Sequence, residues 1–265
     1  MSENNYKILL PHVIDIARDA GRQILAIYNS DFAVHTKDDK SPFTAADLAS
    51  NRAIVKGLHA IAPDLPILSE ESTHTAFEER KDWIKYWLVD PLDGTKEFIK
   101  RNSEFTVNIA LIREHKPILG VVYVPVSEVC YYGAEDVGSF KQTGYGRPRP
   151  IKVSEKTGEP IRVVGSRSHP GPELADYLKK LGEHELTPMG SSLKFCLVAE
   201  GQADIYPRLG PTCEWDTAAA QAVVECAGGY VTDTEGNPLR YNEEDDLLNP
   251  HFLVFGDDSQ DWRAP

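Results

Sequence analysis

The chain has 265 residues, 41% hydrophobic and 26% charged, which suits one large domain or two closely packed halves and excludes disorder. Its 28 Lys and Arg against 41 Asp and Glu leave a formal charge of -13. So anionic a surface repels a nucleic-acid backbone, and no Lys/Arg block offsets it, so no nucleic-acid polymer is expected as a partner.

An anionic substrate would need a cation in the site, and metal ions are the natural candidate. The cysteines, Cys130, Cys196, Cys213 and Cys226, form no C-x-x-C pair and no zinc spacing. They read as reduced, mostly packed thiols of a cytosolic protein. The apolar cluster from Ile8 to Ile14 is interrupted by Pro11 and followed by charges, so it is no signal peptide. No stretch approaches the roughly 20 apolar residues that span a bilayer. A cytoplasmic protein without a transmembrane segment is expected.

In chain order, residues 5–28 carry apolar side chains at three- and four-residue steps and predict an amphipathic helix. Phe32 to Lys37 reads as a strand and Lys37 to Pro42 as a polar turn. A second helix is predicted from Thr44, where Thr44 and Asp47 have capping-box spacing, to about Ile61, before Pro63. Pro66 to Leu68 and Tyr86 to Val89 are short apolar runs ending in acidic residues, and read as buried strands. Phe105 to Arg113 and Pro117 to Val124 form a long antiparallel hairpin that Val129 to Tyr132 and Ser139-Phe140 continue. The Gly/Pro-rich stretch Gly144 to Pro150 divides an α+β half, residues 1–145, from an α/β half, residues 146–265. In the second half, strands are expected at Ile161 to Val164, Ala203 to Tyr206, Tyr230-Val231 and Phe252 to Phe255. Helices are expected at Pro172 to Leu181, Leu193 to Ala199 and Thr217 to Cys226. The fold class is therefore α/β.

The chemistry begins at Asp90-Pro91-Leu92-Asp93-Gly94-Thr95. An apolar strand delivers Asp90 at its end, Pro91 stops the ladder, and Gly94 permits a tight turn before a short helix. Two carboxylates so close on a rigid turn can converge on a hard cation, and the amides of Gly94 and Thr95 offer an anion site beside it. Alone, an Asp-x-x-Asp turn is ordinary turn and capping chemistry. Ser69-Glu70-Glu71 ends another buried strand, and Trp215-Asp216-Thr217 opens a helix, where Asp216 by itself reads as an N-cap. Together, acidic strand ends and helix starts in an α/β chain point at one crevice.

L-S-E-E-S (68–72), W-L-V-D-P-L-D-G-T-K-E-F (87–98) and W-D-T-A-A (215–219) resemble the signature blocks of the lithium-sensitive, magnesium-dependent inositol-monophosphatase superfamily. The resemblance covers nearly the whole chain. Within that superfamily, residues 90–102, 106–112, 117–123 and 190–201 look like the CysQ-type 3'(2'),5'-bisphosphate nucleotidases. The fold implied is the layered α-β-α-β-α sandwich of the inositol monophosphatase and fructose bisphosphatase type. Glu70, Asp90, Asp93, the Leu92 carbonyl and Asp216 would ligate about two or three Mg2+ ions. Thr95 and Glu70 would orient and deprotonate the attacking water, with Asp47 as the relay base. Gly94, Thr95, Ser166, His169, Gly190, Lys194 and Asp216 would contact substrate. Without the resemblance, Asp47 reads first as a helix cap, His169 as a loop residue and Lys194 as an exposed helix lysine. The activity implied is hydrolysis of the 3'-phosphate of adenosine 3',5'-bisphosphate, in the service of sulfate assimilation. An inositol monophosphatase with the same metal chemistry is the rival, and a non-catalytic nucleotide sensor a more distant one. Relatives of this kind can associate with the inner membrane, which would place the protein at its cytoplasmic face, although no basic amphipathic segment explains such contact. Oligomeric state is left open.

Overall fold

The structure, a computed structural model, describes residues 6–31, 33–36, 42–72, 75–168 and 171–263. The first part runs α1 (Tyr6–Tyr28), β1 (Val34–Thr36), β2 (Pro42–Thr44), α2 (Ala45–Ile61), β3 (Ile67–Ser69), α3 (Phe77–Arg80), β4 (Lys85–Asp93) and α4 (Thr95–Lys100). A meander follows, β5 (Thr106–Arg113), β6 (Lys116–Val124), β7 (Val129–Ala134), β8 (Gly138–Thr143) and β9 (Arg149–Pro150). The rest is β10 (Ile161–Ser166), α5 (Pro172–Leu181), β11 (His184–Met189), α6 (Leu193–Ala199), β12 (Ile205–Arg208), α7 (Glu214–Cys226), β13 (Tyr230–Asp233) and β14 (Phe252–Phe255). Strands β3 to β9 lie in sequence order in a seven-stranded sheet, and a five-stranded sheet has the order β11-β10-β12-β14-β13.

Side-chain alternation decides how these sheets stack, because successive strand residues face opposite sides. On β4 and β5, Trp87, Val89, Val107, Ile109 and Leu111 join the core under α1 and α2. Their neighbours Tyr86, Leu88, Ala110 and Ile112 join a second core with α6 and α7. That second core also takes Val164, Tyr206, Phe252 and Val254 from the five-stranded sheet. The residues between them, Val163, Ile205 and Leu253, pack on α5 through Tyr177 and Leu178. Five layers result, α-β-α-β-α, as the sequence motifs led us to expect.

Helix α7 occupies the middle layer, and its Ala-rich sequence suits a site crowded from both sides. A Cβ added at Gly120 of β6 would lie 2.0 Å from the Ala219 carbonyl oxygen, so only glycine lets α7 approach this closely.

Several expectations are corrected. Strand β11 was not foreseen, because it is an exposed edge strand of mixed polar and apolar residues with Pro188 inside it. Strand β7 extends to Ala134 and β8 to Thr143. Asp216 is not the N-cap of α7: Cys213 occupies that position, and Asp216 is the third helical residue, closing a capping box by accepting the Cys213 N–H at 3.1 Å. Phe32 and the turn at 37–41 lie outside the described residues. Among those described, no helix is long and apolar enough to cross a membrane.

Candidate active site

The two aspartates of the 90–93 motif face the same way because of a β-bulge. In a regular strand, residues three apart point to opposite faces. Here Asp90 pairs with Asn108 and Asp93 with Thr106, so Pro91 and Leu92 together oppose Val107 alone. The extra residue restores the phase, and both carboxylates turn toward the α6–α7 layer. Pro91 therefore does not stop the ladder as expected; β4 continues through it to Asp93. The bulge leaves its backbone groups satisfied. Pro91 has no N–H, its carbonyl accepts the Ser50 hydroxyl at 2.6 Å, and the Leu92 N–H donates to Asp90 Oδ1 at 2.9 Å.

Other elements converge on this point. Strand β3 runs parallel to β4 with Ser69 beside Val89, so Glu70 leaves the sheet next to Asp90 and hydrogen-bonds with it. Asp216 comes from α7, and Asp90, Asp93 and Asp216 each offer an oxygen within 4.8 Å of the others. The Ser192 N–H donates to Asp93 Oδ2 at 2.6 Å, and the Ser192 hydroxyl to Asn108 Oδ1 at 2.8 Å. A turn of the second part of the chain thus orients a carboxylate of the first.

Crowding shows in the protonation energetics. Burial, then Glu70, Asp93 and Asp216, holds the Asp90 carboxyl well above the usual range. Burial, then Asp93 and Glu70, pushes Asp216 up to about 8. Burial also raises Asp93, against the pull of Lys194 and the Ser192 N–H. Oxygen donors that penalise one another's charge are the set a hard divalent cation completes, since its charge outweighs their repulsion.

Asp47 helps cap α2 and also reaches Thr95. Its Oδ2 accepts the Thr44 N–H and hydroxyl, each at 2.8 Å, closing the capping box of α2. Its Oδ1 faces the Thr95 hydroxyl at 3.4 Å. Burial raises its pKa, which strengthens it as a base.

Glu70, Asp90, Leu92, Asp93, Gly94, Thr95, Ser166, Gly190, Lys194 and Asp216 all line one cavity of about 300 Å3. Ser166, Tyr206, Arg208 and Asp216 also line an adjoining cavity of about 630 Å3. Lys194 is not the exposed helix lysine its sequence suggested. It is 6% exposed, with Nζ donating to the Ser191 carbonyl at 2.5 Å and lying over the Tyr206 ring, and burial lowers its pKa to about 8. His169 lies outside the described residues. The sequence reading missed Arg208, whose guanidinium is braced by Thr212 Oγ1 and the Pro211 carbonyl, each at 2.6 Å. It also missed Asn108 and Ser192. A buried Asn in the apolar run Thr106 to Ile112 was the available signal for Asn108; Arg208, at a strand end, offered none.

Clustered carboxylates suited to a hard cation, beside a hydroxyl–carboxylate pair, are the arrangement of a metal-dependent phosphatase. The model of the Inositol monophosphatase family matches residues 6–256, and the chain belongs to that family. It is 52% identical over 248 residues to the 3'(2'),5'-bisphosphate nucleotidase CysQ of Escherichia coli K12, covering 93% of this chain and 99% of that one. The crystal structure of CysQ from Bacteroides thetaiotaomicron shares 41% identity and a TM-score of 0.83 over 95% of this chain and 98% of its own. An inositol monophosphatase from Anabaena is 25% identical, with a TM-score of 0.77 over 98% of this chain and 95% of its own.

Proposed function

We propose that the enzyme hydrolyses the 3'-phosphate of adenosine 3',5'-bisphosphate to AMP and phosphate with Mg2+, a reaction that serves sulfate assimilation. The observation that carries the substrate class is the joined pair of cavities. The carboxylate cavity suits a phosphate, and the roomier neighbour suits a nucleoside. Lys194 and Arg208 both line the carboxylate cavity, and Arg208 lines its neighbour as well, which suits a second phosphate.

Glu70, Asp90, Asp93, Asp216 and the Leu92 carbonyl would hold about two or three Mg2+ ions. Held there, Mg2+ would supply charge neutralisation for the phosphate and acidify the attacking water, so that a weak base such as Asp47 would suffice. Glu70 and Thr95 orient the attacking water in line with the leaving oxygen. The water's proton passes to Thr95 Oγ1 as the Thr95 hydroxyl gives its own to Asp47 Oδ1, while the bond from phosphorus to the 3'-oxygen breaks and that oxygen takes a proton from solvent to become the 3'-hydroxyl of AMP. The Thr44 contacts hold Asp47 in place throughout. Ser166, His169, Gly190, Lys194 and Arg208 bind the nucleoside monophosphate portion.

The test compares specificity constants. The wild type should prefer adenosine 3',5'-bisphosphate over inositol 1-phosphate. Lys194→Ala should cut kcat/KM for the bisphosphate by about 10–150-fold, the value of one charge-assisted hydrogen bond, and spare the small monoester. A wild type that prefers inositol 1-phosphate overturns the nucleotidase reading, and equal losses on both substrates place Lys194 in support of the metal site.

A further inference from the structure

The turn from Arg101 to Glu104 has no part in the chemistry above, yet it is held in an unusual conformation. Arg101 and Ser103 have φ of 54° and 71°, left-handed values that side-chain-bearing residues seldom adopt. The turn is anchored from behind, where the Arg101 guanidinium donates to the Tyr28 carbonyl at 2.6 Å and to the Ser30 carbonyl at 2.8 Å. Asn102 Oδ1 accepts the Glu104 N–H at 3.0 Å.

What this turn presents is the Glu104 carboxylate. It takes both forks of Arg167, from Nε at 2.8 Å and Nη2 at 2.7 Å, and Oε2 also accepts the Gly190 N–H at 2.7 Å. Arg167 Nη2 donates in addition to the Pro188 carbonyl at 2.8 Å. One carboxylate thereby joins the rim of the metal-bearing part to the residue after Ser166 and to the turn leading into Ser192 and Lys194. Gly190 is glycine because of this contact: an added Cβ would lie 2.9 Å from the Glu104 carbonyl oxygen and 2.7 Å from Glu97 Cγ.

We propose that Glu104 and Arg167 are positioning residues, a latch that fixes the substrate-facing loops against the bulged aspartates and so sets affinity for the nucleoside end of the substrate. The inference rests on the nucleotidase reading. An ion pair this exposed adds little to stability, since Arg167 is 41% and Glu104 19% accessible. A bidentate pair does fix direction, and direction is what a loop carrying binding groups needs.

The experiment measures Glu104→Gln, Arg167→Ala and the double variant with Mg2+ present. Each single variant should raise KM for adenosine 3',5'-bisphosphate about tenfold, with kcat within about twofold and Tm unchanged. Kd for AMP should rise in parallel, while Kd for inorganic phosphate stays put. The double variant should be no worse than the poorer single one, because both act through one contact. Wild-type constants in the single variants, additive losses, or a fall in kcat with equal weakening of AMP and phosphate each overturn the latch. A wild type without a preference for the bisphosphate removes the nucleotidase reading and the latch with it. Wild-type preference with unaffected variants removes the latch alone.

Discussion

Asp216→Asn is expected to lower kcat by on the order of 10³-fold or more, while making the metal-free protein more stable. Both effects come from one source. The carboxylate is held where burial and its neighbours push its pKa to about 8, against a usual value of 3.8. A raised carboxyl pKa contributes stability that is fully present below about pH 4 and lost as pH rises through about 8. In EDTA the wild type should therefore lose Tm steadily over that window. The Asn variant keeps an oxygen for the Cys213 N–H but lacks the charge, so its advantage in Tm should be largest at the alkaline end. Added Mg2+ should reverse the order, stabilising the wild type and leaving the variant nearly unmoved. Thermal unfolding at several pH values, with and without metal, reads all of this. Turnover that persists in excess EDTA, or an Asn variant less stable than wild type at pH 8 without metal, would sink the account.

Thr95→Ala should lower kcat by about 10²–10⁴-fold with little change in KM, the usual worth of general-base assistance. The hydroxyl begins α4 between the Asp47 carboxylate at 3.4 Å and the Leu92 carbonyl at 3.5 Å, so it holds no structural bond of consequence. Its loss should leave the fold and the carboxylate cluster intact. Thr95→Ser, which restores the hydroxyl, should recover most of the rate. A Thr95→Ala enzyme with near-normal kcat would show that the attacking water needs no relay through Asp47.

Local rules made much of the fold legible. The spacing of Thr44 and Asp47 announced the α2 cap, alternation and apolar runs located most strands, and Pro172 marked the start of α5. The acidic motifs announced the carboxylate cluster, because strand ends and helix starts gather at the crevice of an α/β sheet. What escaped was whatever depends on a partner distant in sequence. The bulge exists only relative to Thr106 and Asn108 on the neighbouring strand, so the 90–93 segment read as a turn. Lys194 is buried by Tyr206 and by the turn before it, which helix periodicity cannot foresee. Strand β11, His184–Met189, has no clean alternation and only Thr187 as a β-branched residue, so its pairing with β10 is what makes it a strand.

Helix α7 carries a further consequence. It serves as core to both sheets at once, packed through Ala219 against Gly120 on one side and sharing an apolar cluster with Phe252 and Val254 on the other. The sheets cannot part like jaws without tearing out that shared layer. Asp216, on the first turn of α7, is thereby tied to the same shared layer that backs Asp90 and Asp93. One carboxylate of the cluster is thus carried by a helix packed on both faces, where local opening costs the apolar contacts of two sheets at once.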